Sequence, residues 1–162
     1  MNILRKNVAA RLSIYTLVVW LLVSCGAKEV KVDPELVSYR DWYFDMVKEE
    51  CPIGTPVEPD NYTIEFVDGY DDDEWKVGEC TTWNMISKRL ITIDRKWWSI
   101  MPEIYRKELI AHEMTHCFFN EPHSTDPNNF MYYMLADFTS TSRLEHNIYK
   151  YLEKQCDASK IY

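Results

Sequence analysis

The sequence predicts a small α+β domain, and three observations carry that prediction. A chain of 162 residues fits one domain. Apolar residues recur at spacings of three and four near both ends of the chain and again before His112. Between these stretches, two short runs alternate or are rich in β-branched residues, as strands are. Helical and strand patterns fall in separate blocks, which is the α+β arrangement.

The N-terminal residues stand apart from that domain. Arg5, Lys6 and Arg11 make a basic start, and the apolar run Ile14–Val23 stops at Ser24-Cys25-Gly26. The run is about half of the ~20 residues that cross a bilayer, so it reads as a secretory signal peptide over residues 1–24. Leu22-Val23-Ser24-Cys25 resembles the bacterial lipobox, in which the chain is cut before the cysteine and the cysteine is acylated, palmitate included. The expectation is a lipidated Cys25 with a short polar tether over residues 25–32, a folded domain over residues 33–162, and a place in the bacterial cell envelope. A plain secretory signal with a cysteine left over is the competing reading.

The elements follow in order. Asp33-Pro34-Glu35 predicts a helix start, with Asp as N-cap and Pro at the first helical position. Leu36, Tyr39, Tyr43, Met46 and Val47 then supply a core stripe until Cys51-Pro52. Asn61–Val67 alternates as a half-buried strand and Asp68-Gly69 closes it. Asp71-Asp72-Asp73-Glu74 lacks the spacing of a calcium loop and reads as a solvated acidic turn. Leu90–Asp94 is a second strand. Residues 102–119 turn helical, with Tyr105, Leu109, His112 and His116 on one side. Ser142-Arg143-Leu144-Glu145 has the form of a capping box before a last helix that buries Leu144, Ile148 and Leu152.

Charge and cysteines narrow the function. The formal charge is -8, and loss of residues 1–24 removes three positive charges and leaves -11, so phosphate backbones would repel the chain and nucleic acid is excluded as a partner. With Cys25 assigned to lipid, Cys51, Cys80, Cys117 and Cys156 remain. An even number in an exported chain points to two disulfides, for which three pairings are open.

The chemistry concentrates in His112-Glu113-Met114-Thr115-His116-Cys117-Phe118-Phe119-Asn120-Glu121-Pro122-His123. Residues four apart on a helix share a face, so His112 and His116 can close on one ion, and Glu113 beside them can reach a water on it. A catalytic zinc takes three protein ligands and keeps one position open. His123 fits as the third, because Asn120 tolerates the left-handed conformation that ends a helix and turns the chain back. The chain has 4 histidines, and three of them lie in these twelve residues.

On these residues the chain resembles the metzincin zinc peptidases, whose pattern is HExxHxxGxxH followed by a methionine turn. Asn120 stands in the glycine's place, and one additional residue separates it from His116, which lengthens the helix. The resemblance implies a small domain with a mixed sheet, an active-site helix and a C-terminal helix, and one Zn2+. It further implies that Met131, in Ser124–Tyr133, is the apolar floor below the metal and that Tyr133 is a tyrosine aimed at it. The layout shared with bacterial metzincin-like lipoproteins suggests a Cys80–Cys117 bridge, with Cys51 and Cys156 making the other.

The expected activity is zinc-dependent endopeptidase cleavage of a peptide or protein substrate at the membrane. Glu113 acts as general base, and the substrate adds as a strand along an edge near Leu90–Asp94. One rival makes Glu145 the third ligand in place of His123. Another is a non-catalytic surface lipoprotein whose metal only stabilises a binding module.

Overall fold

Glu29–Val32 alternates charged residues with valine, and in the computed structural model it forms an edge strand, β1. The structure describes residues 29–51, 61–71, 73–83, 88–136 and 138–157; Cys25 and the signal segment lie outside them. The tether read over residues 25–32 is therefore corrected at its C-terminal end, where four residues belong to the sheet.

Asp33 continues that pairing instead of capping a helix: its N–H donates to the Ile64 carbonyl at 2.9 Å. Its carboxylate accepts from the Glu35 N–H at 3.1 Å, which makes a turn, and helix α1 begins only at Val37–Glu50. Strands β2 (Asn61–Val67), β3 (Gly78–Trp83) and β4 (Lys88–Asp94) follow. The sheet order is β1-β2-β4-β3, with β1, β2 and β4 parallel and β3 antiparallel to β4.

Two expectations change here. β1-α1-β2 is a βαβ unit, so helices and strands are not wholly segregated. β4 is an inner strand, so the edge beside Leu90–Asp94 is β3, and the other edge is β1.

Asp94 ends β4 and its side chain accepts from the Trp97 N–H at 2.9 Å, which caps a short helix, α2 (Arg95–Ile100). Its Trp98 is buried against Phe66 and Tyr39. Helix α3 (Glu103–Phe119) lies on β3 and β4, and α1 packs beside it. Phe44 of α1, Tyr62 of β2 and Phe118 of α3 form one ring cluster, with Phe44 and Phe118 stacked at 5.3 Å. The Tyr43 and Thr115 hydroxyls, 2.8 Å apart, tie the same two helices through a polar contact in the core.

Helix α4 (Thr141–Gln155) packs against α1 and α3 through Leu144, Ile148 and Leu152, all fully buried. Burial of such a side chain stabilises by about 1.5–3 kcal/mol. The cap is Ser140, whose hydroxyl accepts from the Arg143 N–H, so the capping box expected at Ser142 lies two residues too late.

Two disulfides close the frame. Cys51–Cys156 joins the C-terminal ends of α1 and α4, and Cys80–Cys117 joins β3 to α3, with Cα separations of 4.8 Å and 5.5 Å. Both pairings agree with those expected. The result is a small α+β domain of four helices and a mixed four-stranded sheet, and no helix among the described residues is long and apolar enough to cross a membrane.

Candidate metal centre

Helix α3 carries the first half of the site. His112 and Glu113 face inward where α3 meets the sheet, each 6% exposed, and His116 follows one turn later. The helix runs to Phe119, and Asn120 then takes a left-handed conformation, φ 53° and ψ 34°. Among the described residues it is the only non-glycine with positive φ. The additional residue after His116 is thus absorbed by the helix.

The turn at Asn120 brings His123 back. Nε2 of His116 and of His123 lie 2.9 Å and 3.2 Å from Nε2 of His112. Tetrahedral ligation at 2.0–2.1 Å would place imidazole nitrogens about 3.3 Å apart.

The tautomers follow from the partners. Nδ1 of His112 meets the Phe130 carbonyl at 2.7 Å, and Nδ1 of His116 meets the Glu121 carbonyl at 2.5 Å. A carbonyl has no proton to give, so both Nδ1 atoms donate and both Nε2 atoms present lone pairs. Lone pairs this close repel unless a cation lies between them. Burial, reinforced by the two neighbouring imidazoles and opposed by the hydrogen bond to Phe130, lowers the His112 pKa to about 4. The three histidines could hold one metal ion, and backbone carbonyls fix the rings of His112 and His116 as the outer partners of metal ligands do.

Helix α4 holds both of those carbonyl segments. The Asn147 side chain accepts from the Phe130 N–H at 3.1 Å and donates to the Asn128 carbonyl at 3.0 Å. One and two turns further on, Tyr151 and Gln155 donate to the Glu121 carboxylate at 3.3 Å and 3.2 Å. None of these three residues stood out in the sequence, where the stripe Leu144, Ile148 and Leu152 dominates the helix.

The methionine segment is tied to the third histidine, since the Ser124 N–H donates to the Met131 carbonyl at 2.6 Å. Met131 itself is buried in the core. Tyr133 is 61% exposed, stands at the same cleft as His112, Glu113 and His123, and packs its ring on Tyr132. Glu145 is not in the group, because its carboxylate accepts from Trp42 Nε1 at 3.1 Å; it is set aside as a ligand.

Glu113 lies against β3. Burial pushes its pKa up to about 8; the Glu79 carboxylate adds to this and Lys76 opposes it. Lys76 and Glu79 pair with each other at 2.9 Å. A cleft of about 930 Å3 opens on one side of the imidazoles, walled by Trp75, Trp97, Ile100, Tyr105, Leu109 and Met134. On the other side, Glu79, Thr82, Glu121 and Pro122 line a groove of mixed character along β3. Asp73 of the acidic turn is occupied locally, accepting from the Trp75 N–H, and Asp72 lies outside the described residues.

No family model, no curated protein and no solved structure matches the chain.

Proposed function

We propose that this chain is a zinc-dependent endopeptidase of metzincin type. The observation that carries the reading is the convergence of three imidazoles, two with their rings fixed by backbone carbonyls, beside a buried carboxylate at the edge of an apolar cleft. His112, His116 and His123 would hold the zinc. Three nitrogen donors with a position left over suit a catalytic site better than a structural one, which closes with four.

When bound, zinc supplies a Lewis acid that lowers the pKa of a bound water to ~7 and polarises a peptide carbonyl. Glu113 takes the proton of the attacking water as its oxygen bonds to the carbonyl carbon. Glu113 then delivers that proton to the amine nitrogen as the carbon–nitrogen bond breaks. Burial favours the neutral carboxyl, and a cation close by restores the charged form that accepts a proton. Strand β3 offers the substrate an edge to pair with, and the Trp75, Trp97 and Met134 walls suit a large apolar side chain beside the scissile bond.

Two disulfides fit an oxidising compartment. With Cys25 as lipid anchor, the enzyme would work at the bacterial cell envelope, and Cys25→Ser should move it from the membrane to the soluble fraction. Metal analysis of the purified chain, followed by cleavage of a broad peptide library, tests the function. About one zinc per chain with cleavage lost in Glu113→Gln supports it. Zinc without any cleavage returns the chain to the binding-module alternative.

A further inference from the structure

We infer that Gly78 is a positioning residue for Glu113, its bare backbone being the surface on which that carboxylate is seated. The inference rests on the reading of Glu113 as the proton acceptor. Gly78 opens strand β3 and pairs with Ile93 of β4. Glycine weakens a strand, because it has the most freedom to lose and no side chain to pack. Its backbone does not need the exception, since the positive-φ glycine among the described residues is Gly69.

What position 78 requires is space. A Cβ there would lie 2.8 Å from Glu113 Oε1, 3.0 Å from Glu113 Cγ and 2.9 Å from Leu109 Cδ1. Real Cβ atoms essentially never approach to less than 3.0 Å, so an added methyl must displace both Glu113 and Leu109, or else the strand. Leu109 and Glu113 are one helical turn apart on the face of α3 that meets β3. The Cys80–Cys117 bridge ties the same strand to the same helix and limits how far β3 can move away. The Leu109 methyl and the carboxylate are left to swing, and a reacting group displaced by ~1 Å can lose ~100-fold in rate.

The test joins activity to a measurement that needs no substrate. Gly78→Ala should keep about one zinc per chain and both disulfides, yet lose roughly 10- to 100-fold in kcat with KM close to wild type. Thermal melting of the four proteins wild type, Gly78→Ala, Glu113→Ala and the double variant should show coupling, with the Tm loss from Gly78→Ala at least halved in the Glu113→Ala background. Equal Tm losses in both backgrounds overturn the inference, and so does a Gly78→Ala enzyme with wild-type kcat. If Gly78→Ala alone does not fold, the double variant should be recovered as soluble protein, and its failure to be recovered is equally fatal. If the wild type cleaves nothing, the endopeptidase reading falls and the melting cycle alone decides whether Gly78 seats Glu113.

Discussion

The two halves of the metal group are built on different principles. His112 and His116 sit four residues apart on α3, which is anchored by the core on the sheet side and by Cys80–Cys117 near its end. His123 sits on a loop whose shape depends on one left-handed residue, on Ser124 pairing with Met131, and on a face of α4 far along the chain. The helix half is local, and a short motif specifies it. The loop half is non-local, and its support lies in residues with no motif. Affinity for a metal requires both, so the difference should show in how each half fails.

The largest effect separates binding from chemistry. His112→Ala, His116→Ala or His123→Ala should each leave the dialysed protein with little or no zinc, because two imidazoles make a poorer site than three. His112→Ala should also lower Tm, since it empties a buried site and leaves the Phe130 carbonyl without its donor; His123→Ala should not. Equal Tm losses would erase the contrast between the halves.

Glu113→Gln should keep the zinc and lose cleavage by about 10^2- to 10^4-fold, the usual contribution of a positioned base. A variant that cleaves at the wild-type rate would remove Glu113 from the mechanism.

A smaller effect tests the reach of the loop half. Asn147→Leu removes the side-chain contacts to residues 128 and 130 without touching a ligand, and should weaken zinc binding about 10- to 100-fold in a competition titration. Unchanged affinity would mean that the loop is held by its own turns.

The smallest prediction concerns the turn. Asn120→Ala places an alanine in the left-handed region and should cost about 1–2 kcal/mol, whereas Asn120→Gly should be nearly neutral in chemical denaturation. The reverse order would show that the asparagine side chain, and not its backbone, holds the turn.

The same division explains what the sequence made legible. Helix α3, its end at Asn120 and the buried stripe of α4 follow from periodicity and one turn residue, both local signals. β1 and β3 escaped because edge strands are specified by the partner they pair with. Glu29–Val32 has little buried side-chain surface, and Gly78–Trp83 begins with a residue that argues against a strand. Asp33 has the chemistry of a helix cap, but pairing with Ile64 claims its backbone first. Asp94 read only as the end of a strand, although its carboxylate also starts α2. Within the site, the histidines and Glu113 were visible as residue types. Gly78 and Asn147 were not, because what matters about them is a contact across 35 residues in one case and 17 in the other. A Gly at the head of the strand Gly-Glu-Cys-Thr-Thr-Trp gives no sign of which glutamate it must admit.

Strand β1 has a practical consequence for where the chain can be cut. It is the partner that covers one side of β2, whose register runs from Glu29 opposite Asn61 to Val32 opposite Ile64. A protein shortened to begin at Asp33, the boundary that the helix signal invites, would uncover the hydrogen-bonding side of a strand carrying Tyr62, Ile64 and Phe66. Such bare edges recruit other chains. The shortened protein should self-associate in light scattering at concentrations where one beginning at Gly26 remains monomeric, with its histidines untouched in both.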